Sequence, residues 1–194
     1  GGLGYIGTEL CKLYSGVSWN NEIIVIDNRF ISERVNQIRN WNMEFIHGDI
    51  LDKNLINKHC KDADIVHHLA GITDVPRTKT ESNEDRDNKI KFVAKDGTQN
   101  ILDAIADKCK IIFPSTHVVY EGIENVKHNI SEDEALKPLL SYSSSKAINE
   151  KQLKNSGKNY VILRLGSVYG YSTDTARIDI MPNLFSKIAS QDGT

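Results

Sequence analysis

Short apolar runs alternate with longer amphipathic ones along the whole chain. Residues 4–14 place Ile6, Leu10 and Leu13 at helical spacing, which predicts a helix there. Residues 22–27 (EIIVID) are an unbroken β-branched run, the pattern of a parallel strand buried on both faces. Residues 43–46, followed by Gly48-Asp49, predict a second strand, and residues 64–69 (DIVHHL) a third. A long helix is expected over 87–107, with Ile90, Val93, Ile101, Leu102 and Ile105 as its apolar positions. Strands over 110–114 (KIIFP) and 159–165 (NYVILRL) flank a helix over 141–155 that Gly157 can stop. A last helix is expected over 178–190, with Pro182 near its start. The polar stretch 73–87 contains Pro76 and is expected to be a mobile loop at the carboxyl edge of a sheet. Strands alternating with helices call for βαβ units, so the expected class is α/β with a doubly wound parallel sheet.

Composition narrows the partners more than the fold. The chain has 194 residues, 39% apolar and 26% charged, ordinary for a soluble globular domain. A formal net charge of -2, with scattered Lys and Arg, gives no reason to expect nucleic acid or an anionic membrane as partner. Cys11, Cys60 and Cys109 are odd in number and lack metal-like spacing, so they read as reduced thiols of a cytoplasmic protein. No apolar run approaches the ~18 residues that a membrane span needs. The six histidines form no metal-type pair.

The candidate chemistry starts at the first residue. Gly1, Gly4 and Gly7 are spaced G-x-x-G-x-x-G before the first predicted helix. In a Rossmann-type domain such glycines allow a tight turn, close approach of backbone to a pyrophosphate, and close packing of the helix. The helix N-terminus then offers N–H groups and the positive end of its dipole. Asp27 lies twenty residues after Gly7, at the end of the EIIVID run. That is where a carboxylate accepts hydrogen bonds from the adenosine ribose. It would repel a 2′-phosphate, which favours NAD over NADP, although Arg29 nearby is the kind of residue that accepts one.

Tyr142 and Lys146 form Y-x-x-x-K, which puts both on one face of a helix. A free phenol, with a pKa of about 10, is a poor base at neutral pH, and a neighbouring ammonium favours the phenolate. The pair can therefore take a proton from a hydroxyl. With seven tyrosines in the chain, about 0.6 such pairs are expected by chance. Position gives this one weight: it opens a helix about 25 residues after KIIFP and Ser115-Thr116.

The segments GGLGYIG, IVIDN, GDI, HHLAG, FPSTHVVYEG, YSSSK and LRLGSVYG occur in the order and spacing of the extended short-chain dehydrogenase/reductase family. The chain resembles in particular its NAD-dependent epimerase/dehydratase branch, which acts on nucleotide sugars, from Gly1 to about Gly170. The resemblance implies Thr116, Tyr142 and Lys146 as catalytic residues, with Lys146 also bonding the nicotinamide ribose. It implies cofactor contacts from Gly1, Gly4, Tyr5, Ile6, Gly7, Asp27 and Asn28, from Asp49 and Ile50 around the adenine, and from Leu69, Ala70 and Gly71. Ser115, His117, Ser167, Arg177 and Asn183 are candidates for substrate contact, while His68 reads as structural. Dehydratases of the branch carry Asp-Glu after the catalytic Thr, and related decarboxylases carry the Glu. Here His117 and Val118 stand there, which lowers both chemistries. Ser167 replaces a common Asn, as does Ala94 before Gly97-Thr98.

The expected activity is therefore NAD-dependent epimerisation of a nucleotide sugar through a keto-sugar intermediate. The alternatives are a carbonyl reductase or dehydrogenase of the same family and a non-catalytic dinucleotide sensor, which Tyr142→Phe would leave working in the cell. Residues 1–170 are expected to be the NAD-binding domain and 171–194 the start of a substrate-binding domain. The strand that should lead into the glycine turn is missing from this stretch. The chain is thus expected to be a fragment, with that first strand absent and the smaller C-terminal domain truncated, and to bind NAD poorly by itself. The resemblance implies a homodimer at full length, with helix 141–155 in its interface.

Overall fold

The computed structural model describes residues 1–17, 21–73, 83–172 and 180–192. Among them six α-helices and five strands alternate: α1 (Tyr5–Ser15), β1 (Ile24–Asp27), α2 (Ser32–Asn40), β2 (Glu44–His47), α3 (Lys53–Cys60), β3 (Ile65–His67), α4 (Glu84–Ala104), β4 (Lys110–Thr116), α5 (Ser141–Asn155), β5 (Asn159–Leu165) and α6 (Met181–Asp192). Every strand pairing is parallel, as the βαβ alternation requires. β1 pairs with β2 from Ile24 opposite Glu44 to Asp27 opposite His47. The second ladder has the order β3-β4-β5 and ends with Thr116 opposite Leu165.

The chain divides into two compact units, Gly1–Asp49 with Gly166–Thr194, and Ile50–Leu165. The core of the first gathers Leu3, Cys11, Val25, Val35, Ile38 and Met43. In the second, α3 packs on α4, α4 on α5, and α5 on β4. Ile90, Ile101, Ile111, Phe113 and Leu153 are buried there.

The predicted bounds of α5 and β5 are the observed ones, and Gly157, with φ 69°, follows α5 in the left-handed region that halts a helix. α4 starts at Glu84, three residues before the expected start, because Asn83 Oδ1 accepts from the N–H groups of Asp85 and Arg86. Residues 84–87 are thus helix, and the rest of the expected loop, 74–82, lies outside the described residues. β3 ends at His67, two residues early, where Leu69 N turns back to His67 O. The proposed start of the last helix also falls outside the described residues, and α6 is described from Met181.

Two helices were not expected. α2 shows little periodicity, yet Val35 and Ile38 are buried on one face and the Arg34 guanidinium donates to Leu3 O. α3 is capped by Asp52, whose carboxylate accepts from Leu55 N at 3.0 Å, and it buries Ile56 and Cys60 one turn apart.

Candidate active site

In the first unit the glycine turn is tied to β1 by Gly2 N donating to Ile26 O at 3.3 Å. Gly4 is the N-cap of α1 and supplies no side-chain cap. The first N–H groups of α1 are therefore left to other acceptors. A Cβ on Gly7 would lie 2.6 Å from Gly2 O and 2.7 Å from Gly1 O, so the turn closes only with glycine there. Gly7→Ala is expected to lower NAD affinity of the full-length protein at least about tenfold, measured by calorimetry, because backbone oxygens cannot move aside without opening the turn.

Asp27 ends β1 and is only 4% exposed. Its Oδ2 accepts from Leu3 N at 3.0 Å, and its Oδ1 accepts from Arg29 N at 2.9 Å. The carboxylate is thereby fixed against the turn, with the Arg29 Nε at 3.4 Å. Asn28 Nδ2 donates to Asp49 Oδ2 at 2.9 Å, so the expected adenosine-side residues gather at the carboxyl ends of β1 and β2. Tyr5 donates its hydroxyl proton to Gly170 O at 2.6 Å, and Ile6 is exposed. Asn183 Oδ1 accepts from Gly170 N at 3.0 Å, Ser167 is exposed, and Arg177 lies outside the described residues.

In the second unit the carboxyl end of β4 carries Ser115 and Thr116. The buried Ser115 hydroxyl points inward and donates to Glu150 Oε1 at 2.6 Å. Thr116 Oγ1 accepts from Val118 N at 3.3 Å and starts the 3-10 turn His117–Tyr120. His117 is exposed, with Nδ1 3.2 Å from Leu165 O. Tyr142 is the second residue of α5, and Lys146 follows one turn later. Lys146 Nζ donates to Pro114 O at 2.9 Å and lies 4.5 Å from the Phe113 ring centre and 5.8 Å from that of Tyr142. Burial pushes the Lys146 ammonium down to about 8.

Ile50 O accepts from Asn100 Nδ2 at 3.1 Å; Leu69 and Ala70 are half-buried and Gly71 is exposed. His68 is buried, with Nε2 2.7 Å from Thr98 Oγ1, and burial pushes it down to about 3, so it is neutral at physiological pH. Asn149 Nδ2 donates to that Thr98 hydroxyl and to Ala94 O, both at 2.8 Å.

Sequence reasoning missed the groups behind these residues. Glu150, one turn after Lys146, is buried and receives Arg164 Nη2 on Oε2 at 2.7 Å and Nε on Oε1 at 3.0 Å. The one signal was an arginine following the apolar run YVIL within the strand NYVILRL. Among the described residues no group of three or more His, Cys, Asp or Glu could hold a metal ion, and no helix is long and apolar enough to cross a membrane.

The chain matches the NAD dependent epimerase/dehydratase family over residues 1–193. It belongs to that family. It is 34% identical over 144 residues to the CDP-paratose 2-epimerase of Salmonella typhi, covering 68% of this chain and 40% of that protein. The UDP-glucuronic acid 4-epimerase of Bacillus cereus, solved with NAD, superposes with a TM-score of 0.76 at 27% identity, over 99% of this chain and 61% of that one. The UDP-glucose 4-epimerase of Brucella ovis, also with NAD, gives 0.71 at 30% identity, over 90% and 52%. The chain thus spans between two fifths and about three fifths of these relatives. The family is NAD-dependent and its fold is the Rossmann α/β architecture. An uncapped helix N-terminus after a glycine turn suits a pyrophosphate. The carboxylate ending β1 suits a ribose diol, and the residues present fit the dinucleotide.

Proposed function

We propose that the full-length protein epimerises a nucleotide sugar through a keto-sugar intermediate. The observation that carries this reading is the placement of Tyr142 and the half-buried Lys146 on one face of α5, with Nζ on the carbonyl just before Ser115-Thr116. The chemistry NAD supplies when bound is reversible hydride acceptance. Its pyrophosphate would rest on Gly1, Gly4 and the N-terminus of α1, with Tyr5 and Ile6 beside it, and its adenosine on Asp27, Asn28, Asp49 and Ile50. Tyr142 takes the proton of the sugar hydroxyl, Lys146 favours the phenolate by its charge, and Thr116 bonds the same hydroxyl. The return of that proton from Tyr142 completes the cycle without a further acid. That agrees with His117 and Val118 standing where dehydratases have Asp-Glu.

Residues 171–194 would open the substrate-binding domain, with Arg177 and Asn183 as candidate substrate contacts. Three buried thiols favour the reducing cytoplasm. A homodimer through α4 and α5 would cover Phe92, which is 55% exposed.

The test is to incubate the full-length enzyme with UDP- and dTDP-hexoses and follow products by NMR. A product isomeric with its substrate, with no net change in NADH absorbance, is expected. Net NADH formation or loss of water with every sugar converted would overturn the epimerase reading.

A further inference from the structure

We infer that Glu121 is a positioning residue that holds the N-terminus of α5, and so Tyr142, in register with Thr116. The start of a helix leaves several N–H groups without an intrahelical acceptor. A Ser, Thr, Asp or Asn at the N-cap normally serves them. The N-cap of α5 is Leu140, which has no polar side chain. A carboxylate from 19 residues upstream instead holds the N–H of that N-cap and of the residue before it. Glu121 Oε1 accepts from Leu139 N and Leu140 N, both at 2.8 Å, and from the hydroxyl of Ser143, which is buried. Ser143 Oγ in turn lies 3.2 Å from Leu140 N. A carboxylate at this end also complements the helix dipole.

The backbone around this contact is paired as well. Lys137 N donates to Val119 O at 2.9 Å, and Gly122 N donates to Lys137 O at 2.8 Å. Residues 119–122 and 137–140 therefore form a strap between two places that matter. One end continues from Thr116 through the 3-10 turn His117–Tyr120. The other runs into α5 two residues before Tyr142. Tyr142 sits in the first turn, the part of a helix most prone to fray. Its partner Lys146 is one turn deeper and anchored on Pro114 O. Fixing the helix end fixes the distance between the two groups that must meet one sugar hydroxyl, and errors of about 1 Å in such placement are costly in rate.

The kinetic arm rests on the epimerase reading of the same site, so the test adds two readouts that need no substrate. In the full-length protein, Glu121→Ala is expected to speed amide hydrogen exchange at Leu139 and Leu140 about tenfold while leaving β4 and β5 unchanged. With 3-fluorotyrosine at position 142, wild type and Glu121→Gln should each give one sharp fluorine line, and Glu121→Ala a shifted or split one. The glutamine keeps an oxygen acceptor for both N–H groups. In turnover, Glu121→Ala should lower kcat about tenfold with KM within about threefold, and Glu121→Gln should recover most of the loss. Unchanged exchange at Leu139 and Leu140, or an unchanged fluorine line, overturns the proposal whatever sugar the enzyme takes. Equal acceleration across β4 and β5 overturns it too, since Glu121 would then hold the unit and not the helix end. A shifted line with unchanged kcat also overturns it. If the exchange and fluorine results come out as expected and the wild type turns over no nucleotide sugar, the epimerase reading fails while the placement of Tyr142 by Glu121 stands.

Discussion

Lys146→Met is expected to make the full-length protein more stable at neutral pH and nearly inactive. The activity loss follows from the role proposed above for the ammonium beside Tyr142 and is expected to be about 10²–10⁴-fold in kcat. The stability gain follows from burial. Nζ is partly withdrawn from water, and burial lowers its titration to about 8, where an exposed lysine titrates near 10.5. Between those two values the unfolded chain binds more protons than the native one, so wild-type stability rises with pH from about 8 to about 10.5. Below about 8 the full cost of a buried charge is present. A shift of this size corresponds to about 3 kcal/mol. Removing Nζ also deprives Pro114 O of its donor, which costs about 1 kcal/mol. A net gain of about 2 kcal/mol at pH 7 remains; it falls to about zero near pH 10, and above that the lost hydrogen bond makes the methionine variant the less stable. Thermal unfolding of both proteins without cofactor, at pH 7 and pH 10, checks the sign. A methionine variant less stable than wild type at pH 7 would show that Lys146 is not held against its own desolvation.

The second large effect is destabilising. Arg164→Met removes both guanidinium bonds to Glu150 and leaves a carboxylate that is 1% exposed with Ser115 and, at 3.9 Å, Lys154 as its company. Breaking a buried pair from one side costs about 3–5 kcal/mol. In the wild type, burial pushes the Glu150 carboxyl up, but hydrogen bonds from Arg164 and Ser115 outweigh it and hold the group below its ordinary value. Its stabilisation is therefore complete above about 4.5 and fades as pH falls through the lowered value. In Arg164→Met the sign reverses, and acid relieves the unpaired charge. Urea unfolding at pH 7 and pH 5 should show the deficit shrinking at the lower pH. Adding Glu150→Gln to Arg164→Met should recover most of it, because the neutral amide needs no cation and still accepts from Ser115. A double variant as unstable as the single one would mean that the arginine works through Tyr120 and Glu132 O, its other partners.

These two residues also mark how far the sequence could be read. The alternation of strands and helices was legible because each long element carries its own periodicity. α5 and β5 have the observed bounds. α2 and α3 were not legible because nine and eight residues with two and three apolar positions do not make a pattern until a core receives them. The glycine turn, Asp27 and the Tyr142–Lys146 spacing stood out because each is a local arrangement. Glu150, Arg164 and Glu121 did not, because their partners lie 14 to 35 residues away. Ser115 shows the same limit from the other side. Next to Thr116 it resembled a substrate contact, while its hydroxyl is turned inward to Glu150.

The sequence by itself determined the parallel α/β class, the turn that only glycine at position 7 can close, and the family. These depend on steric rules and periodicities that act over a few residues. The tertiary structure decided what the site residues are worth chemically. Lys146 is an ordinary lysine in the sequence; packing against Phe113 and Pro114 O partly buries it and moves its titration toward neutrality. Leu140 is an N-cap with no polar side chain of its own, and the fold brings the Glu121 carboxylate to its N–H. Desolvation and charge pairing depend on which distant segments meet, and only the folded chain fixes that.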